Sequence, residues 1–178
     1  MNLIEFQPTH TKEVVQLFQE VFTDSEGEVE GQTLAQLVQD LVSTTDSEDL
    51  YGFCSVKSGQ IIGSIFFSRF TVPTQQFALL LSPVAVATRE QKQGIGQQLI
   101  QFGLNSVKKS GVEIVVTYGD PDYYAKTGFE PISEAVIPAP YPLSQPHGWL
   151  ALTLTQEAIE HMVGKTQCVS AFEHREYW

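Results

Sequence analysis

The sequence predicts an α+β domain with one mixed sheet of about six to seven strands and helices on both of its faces. Three observations carry that expectation. Three apolar runs, beginning at Leu50, Ile61 and Phe77, are joined by short turn signals, the pattern of an antiparallel meander. The third run passes through a glycine turn into a helix-period segment and then into another apolar run, Val112 to Tyr118. A strand reached through a crossover helix lies parallel to the strand before it. Two further helix-period segments precede the meander.

In chain order, Leu3, Ile4 and Phe6 open a short strand. A helix follows, introduced by Pro8 with Thr9 or Thr11 as N-cap, and Val14, Val15, Leu17, Phe18, Val21 and Phe22 form its apolar face. Residues 23–31, TDSEGEVEG, are expected to be an acidic loop. Thr33 to Val42 returns to the helical period, with Leu34, Leu37, Val38, Leu41 and Val42 inward. Lys57-Ser58-Gly59-Gln60 is a hairpin turn, and Pro73, Thr74 and Gln75 make a second turn. In the central strand Pro83 interrupts an apolar series from Leu79 to Val86. Proline has no amide hydrogen for the ladder, so a bulge or kink is expected there. Ile95, Leu99, Phe102 and Val107 mark the next helix. Lys108 and Lys109 stand in its last turn, where the dipole favours cations, and Gly111 stops it. Asp120 to Thr127 reads as a short helix with Asp120 as cap, Pro121 at the first position and Gly128 at the end. Pro138 to Pro146 is a loop, Trp149 to Leu154 a strand, residues 155–163 a short helix, and Val169 to Phe172 a last edge strand.

The chain has 178 residues and is 42% hydrophobic, which suits a single domain over 1–178. No apolar run approaches the ~20 residues that span a bilayer. The opening residues, MNLIEFQPTHTKE, lack the basic region, apolar run and cleavage site of a signal peptide, so a cytoplasmic protein is expected. Cys54 and Cys168 make no disulfide framework and read as reduced, buried thiols. With four scattered histidines they show no zinc spacing, and no metal is expected. The net charge of −11 argues against nucleic acid and anionic membranes as partners. It is compatible with a cationic small molecule or a Lys-bearing partner; solubility alone is the simpler reading.

The turn Gln91-Lys92-Gln93-Gly94-Ile95-Gly96 has a physical use. A helix start leaves about four amide hydrogens without intrahelical partners, and glycines let a ligand come against them. The result is a seat for phosphate oxygens. Two familiar phosphate loops are excluded. The dinucleotide fingerprint needs a glycine where Leu99 stands, and the P-loop's Gly-Lys-Ser/Thr occurs nowhere in the chain.

The turn resembles the pyrophosphate-binding Gln/Arg-x-x-Gly-x-Gly/Ala of the GNAT superfamily of N-acetyltransferases, which Gln91, Gly94 and Gly96 match. Tyr124, Gly128 and Phe129 resemble the family's Tyr-x-x-x-Gly-Phe, and the distance between the two signatures also suits it. The resemblance runs from Leu3 to Leu154, and the segments FTDSEGEVEG and GDPDYY are similar to one bacterial branch whose members are mostly called predicted N-acetyltransferases. In one place the chain departs from the pattern: many members carry an Asn seven places before the tyrosine, where this chain has Thr117.

The resemblance implies an acyl-CoA N-acyltransferase fold in which acetyl-CoA, as acyl donor, lies between two central parallel strands that splay apart after Pro83. The backbone of Val84, Ala85 and Val86 would pair with the pantetheine like an added strand. The Val84 amide would polarise the thioester carbonyl and stabilise its oxyanion, an effect worth ~3–4 kcal/mol. The amides of Gln91, Lys92, Gln93, Gly94, Ile95 and Gly96 would hold the diphosphate, with charge from Lys92 and less directly Arg89. Thr117 would stand beside the pantetheine arm. The reaction implied is direct attack by an amine of a small molecule or peptide on the acetyl carbon. An amine of Lys type, with a pKa of ~10.4, must first lose a proton to a carboxylate or a water. Tyr124 is the implied donor to the departing thiolate, because a phenol of pKa ~10 is neutral at pH 7. On spacing alone Tyr124 reads as a packed helical tyrosine, as does Tyr123.

Glu28 and Glu30, in a loop that borders the acceptor site in this architecture, are the candidate bases, with Glu26 behind them; as bare residues they are solvated loop acids. His147, beside Trp149, is a surface histidine that could also face the acceptor. Asp120 and Asp122 are a cap and a solvated first-turn acid. A second reading is a non-catalytic acyl-CoA sensor on the same scaffold, kept open by Thr117 and the undetermined base. A third is an unrelated α+β domain with a fortuitous glycine turn. A homodimer is compatible with a family whose members often dimerise. The acceptor itself is not legible, because side chains of the early helices and late loops vary within one fold.

Overall fold

A computed structural model describes all residues, Met1–Trp178. One eight-stranded sheet runs through the molecule. Its long strands are β1 (Asn2–Glu5), β2 (Leu50–Lys57), β3 (Gln60–Thr71), β4 (Ala78–Val86), β5 (Ile114–Tyr118) and β7 (Trp149–Thr153). Two-residue strands β6 (Glu130–Pro131) and β8 (Gln167–Cys168) complete it. The strand order is β1-β2-β3-β4-β5-β7-β6, with β8 paired to the end of β3. Only β4 and β5 are parallel; the other pairs are antiparallel. The expected meander and crossover are therefore present.

Period-2 alternation sends each strand's side chains to opposite faces. Phe66 and Phe70 of β3 join the core beneath α1 (Thr11–Glu26) and α2 (Glu28–Thr44), with Leu80 of β4 and Val116 of β5. Ile65 and Phe67 join the opposite core with Leu79, Leu81 and Val115, under Leu99, Leu104 and Val107 of α3 (Ile95–Lys109). The hairpin between β2 and β3 turns on Ser58 and Gly59, both at positive φ (53° and 79°).

Four sequence expectations are corrected. Neither Thr9 nor Thr11 caps the first helix: Pro8–His10 is a 3-10 turn, and the Thr11 hydroxyl donates to the Pro8 carbonyl at 2.7 Å. Residues 23–31 are not a loop. α1 runs to Glu26 and α2 starts at Glu28, separated by Gly27 alone at φ 101°. Acidic residues favour a helix N-terminus, so Glu28 and Glu30 fit the first turn of α2. Residues 155–163 form no helix. The Thr155 hydroxyl accepts the Glu157 amide at 3.2 Å, a local turn that competes with helix, and Met162 is buried with its amide bound to the Val136 carbonyl. The last edge strand is β8, at Gln167–Cys168, while Ser170–Phe172 is a 3-10 turn that buries Ala171 and Phe172.

Candidate active site

The site begins where the parallel pair comes apart. β4 and β5 are in register at Ala78↔Ile114, Leu79↔Val115 and Leu80↔Val116, and no further. Just beyond, the β3–β4 register shifts opposite Ile65 to Phe67, the irregularity expected around Pro83. At the fork the buried Thr117 hydroxyl donates to the Leu81 carbonyl at 2.8 Å. Past it β4 keeps only its β3 neighbour. The Ala87 amide donates to the Ile62 carbonyl at 2.8 Å. Alternation along the antiparallel ladder then directs the Ala85 backbone groups to β3 and those of Val84 and Val86 to the open edge. The Val86 carbonyl is taken by the Gln91 side-chain amide at 2.9 Å. Gln91 thus braces the end of the strand with its side chain. The Val84 amide and carbonyl and the Val86 amide remain on the edge.

The chain then turns through Thr88–Glu90 and reaches α3. Lys92 lies at φ 62° and Gly94 at φ 77°. Left-handed residues in this position turn successive amides to one side, an anion-binding concavity, and the first-turn amides of α3 continue it. The turn is held from outside. Thr88 donates to Asp24 of α1 at 2.6 Å, and Lys57 pairs with Glu90 at 2.7 Å.

Tyr124 closes the other wall. It sits in α4 (Pro121–Tyr124), whose cap is Asp120, the Asp120 carboxylate accepting the Asp122 amide at 2.9 Å. Its ring meets Phe129 and Tyr123 edge-on and lies against Gly119, where a Cβ would come within 2.8 Å of it. Burial pushes the Tyr124 phenol up to about 12; the neighbouring Thr117 hydroxyl pulls it down in part, and negative charge at Tyr123 and Asp120 adds to the rise. Strand edge, turn and tyrosine face one cleft of about 420 Å³. The cleft thus offers open strand amides along one wall and an amide-rich turn with Lys92 and Lys126 along another.

Residues 2–132 match the family described as the acetyltransferase (GNAT) domain. The chain belongs to that family. The GNAT chain is 29% identical over 145 residues to the N-acetyltransferase YjhQ of Escherichia coli K12, uncharacterized by name, covering 78% of this chain and 80% of that one. The crystal structure of E. coli YhbS in complex with CoA superposes with a TM-score of 0.77 at 24% identity, over 97% of this chain and 92% of that one. A GNAT acetyltransferase from Brucella melitensis in complex with acetyl-CoA gives a TM-score of 0.72 at 20% identity, over 97% of both chains. These two share the fold. The GNAT chain is accordingly an N-acetyltransferase, and the sensor reading is not favoured.

The cleft of this acetyltransferase gathers Val84, Ala85, Val86, Gln91, Lys92, Gly94, Ile95, Gly96 and Tyr124. It does not gather Gln93, Thr117, Glu28 or Glu30. Thr117 stands behind Tyr124 at the fork. Glu28 lines a shallow groove on the outer face of the helical pair with Lys12, Gln16 and Glu20. Glu30 lies on the Tyr177 side of the molecule, where the phenol is pushed up by burial and by the acids Glu176, Asp40 and Glu30. No set of three or more His, Cys, Asp or Glu side chains is grouped as a metal site.

Sequence reasoning missed Tyr123, Lys126, Glu90, Gln97 and Val21, which also line the cleft. Tyr123 is the instructive one. A Cβ on Gly96 would run into the Tyr123 hydroxyl. The second glycine of the turn therefore makes room for a side chain 27 positions on, a tertiary contact that no local pattern reports.

Proposed function

We propose that this chain transfers the acetyl group of acetyl-CoA to a primary amine by direct attack. One observation carries the reading: an unpaired strand edge at Val84 and Val86 runs straight into the amide concavity at Lys92–Gly96, within one cleft that ends on Tyr124. The lining fits the donor. Open amides match the pantetheine arm, and the helix start with Lys92 and Lys126 matches a diphosphate. The relatives solved with CoA or acetyl-CoA support acetyl-CoA as the donor.

Acetyl-CoA supplies an activated thioester; the rest is positioning and proton movement by the chain. The Val84 amide is the donor aimed at the thioester oxygen, where charge develops. As the nitrogen–carbon bond forms, the carbon–sulfur bond breaks. The amine's proton leaves to a carboxylate or water on the acceptor side, and the departing sulfur takes a proton from Tyr124, which recovers it from solvent. A phenol held near 12 is a weak acid toward a free thiolate of pKa ~8.5. Burial in the same apolar pocket raises the thiolate's proton affinity too, which narrows the gap. Glu28 and Glu30 stand in α2 outside this cleft, and neither is needed for the step at Tyr124. The same reading keeps the protein in one domain and in the cytoplasm; two unpaired cysteines, Cys54 and Cys168, support a reducing compartment.

The test is free-thiol release from acetyl-CoA over a panel of amines. Turnover that Tyr124→Phe removes, with acetyl-CoA binding retained, supports the reading. Binding without turnover on any amine overturns it.

A further inference from the structure

A second cleft, of about 460 Å³, lies on the other side of Gly119. Its walls come from three separate parts of the chain: the end of β5 and the start of α4, the 3-10 turn Pro146–Gly148, and the segment Glu176–Trp178. It shares no lining residue with the donor cleft. The partition is thin. Gly119 carries the Tyr124 ring on one side, and on the other its amide donates to the Gly148 carbonyl at 2.9 Å.

The chemistry of the two clefts is opposite. The donor cleft holds Lys92, Lys126 and a helix N-terminus, and its one carboxylate, Glu90, is already paired with Lys57. The second cleft holds Asp120 and Glu176 and no Lys or Arg. Its remaining wall is aromatic: Tyr118, Tyr177 and Trp178, with His147 at its edge. Tyr118 and Trp178 stack at 6.3 Å, 13° apart, and the Tyr118 hydroxyl is fixed by Ser144 at 2.9 Å and by the Gln145 amide at 2.7 Å. The wall is therefore rigid. Glu30 and Asp40, from the helix behind, add negative charge at Tyr177. The exposed Arg175 beside it is not among the lining residues. Aromatic faces and carboxylates together attract organic cations, and a cavity of this size takes a small molecule.

We propose that this second cleft is the acceptor subsite and that it selects a small amine bearing a further positive charge. The charged tail is held by Glu176 and Asp120 over the Tyr118–Trp178 wall. The amine to be acetylated extends past Gly119 toward Tyr124, gives its proton to water, and bonds to the acetyl carbon as the carbon–sulfur bond breaks. A second fixed cation is what lets a neutral, reactive nitrogen stay bound in an acidic pocket.

The inference rests on the acetyl-transfer reading, and binding separates the two. Putrescine, a dication, and butylamine, a monocation of equal length, are titrated calorimetrically into the protein saturated with CoA; acetyl-CoA is titrated separately. Putrescine is expected to bind at least about tenfold tighter than butylamine, the size of one hydrogen bond to a charged group. Glu176→Gln is expected to weaken putrescine by a similar factor and leave acetyl-CoA affinity unchanged, which also shows that the variant is folded. Equal affinity for the two amines, no heat from putrescine, or undiminished putrescine binding by Glu176→Gln overturns the inference. Failure of the wild type to bind acetyl-CoA would sink the donor reading instead, and the same two amines titrated into the cofactor-free protein would then decide this cleft.

Discussion

The Thr117 hydroxyl donates a 2.8 Å hydrogen bond to the Leu81 carbonyl across the point where β4 and β5 part. Both residues are buried, so the carbonyl has no water to fall back on. Thr117→Val keeps the shape and removes the donor. Leaving a buried acceptor unpaired costs ~1–3 kcal/mol, which for a chain of this size lowers Tm by roughly 2–4 °C per kcal/mol. Thermal melts of the two proteins check this; an unchanged Tm would show that the fork does not depend on the bond.

Gly96 and Tyr123 form a second testable pair. Gly96→Ala drives a methyl into the Tyr123 hydroxyl, whereas the ring carbon behind that hydroxyl stands 3.4 Å from the same point. The single substitution should weaken acetyl-CoA binding and cost ~1–3 kcal/mol of stability, as overpacking does. Adding Tyr123→Phe should recover most of both losses. Additive losses in the double variant would show that the two residues do not touch in solution.

For Tyr124→Phe, a drop in kcat of ~10²–10⁴ is expected with little change in acetyl-CoA affinity, the range for a lost general acid. Because its phenol is held near 12, Tyr124 stays protonated throughout the working range. The wild-type rate should therefore show no alkaline decline from this group below about pH 11. A kcat–pH profile that falls between pH 8 and 10 in the wild type and stays flat in Tyr124→Phe would contradict the assignment.

Stability should fall in base. Burial raises Cys54 and Cys168 from 9.0 to about 11, and Tyr124 from 10.0 to about 12. Each folded-state value lies above its unfolded one, so the unfolded chain binds fewer protons and stability declines as pH rises. The contribution of these groups is complete below pH 9 and is lost between about pH 9 and 12. Urea midpoints measured from pH 8 to 11 should decrease monotonically, and Cys54→Ala should shallow the slope. A flat series would mean that the groups ionise without unfolding.

The unit from Leu79 to Lys109 was legible because its signals are local: an apolar strand, Pro83 without a donor, Gln91 to Gly96 at a helix start, and lysines in the last turn. Tyr124 was legible through its distance to Gly128 and Phe129. Residues 23–31 were misread because acidic and glycine-rich composition marks a loop only when the chain must leave the core. Here Val21 and Leu34 keep the apolar face on either side of Gly27, and the two helices continue through it. Gln91 was placed in the site for its amide, but the structure uses its side chain as a brace. The second cleft escaped but for His147, which the sequence sets beside Trp149 as a residue able to face the acceptor. Tyr118, His147 and Glu176 belong to three distant segments, and what unites them is the docking of the last residues, with Trp178 buried against Tyr118 and Trp149.

The thinness of the layer at Gly119 bears on kinetics. On the acceptor assignment proposed above, donor and amine occupy clefts with no lining residue in common, and neither must depart before the other comes in. A single chain can then hold both reactants at once, in either order of arrival. Double-reciprocal plots at several fixed concentrations of the partner should intersect, and the modified amine should be free to leave while the spent thiol is still seated.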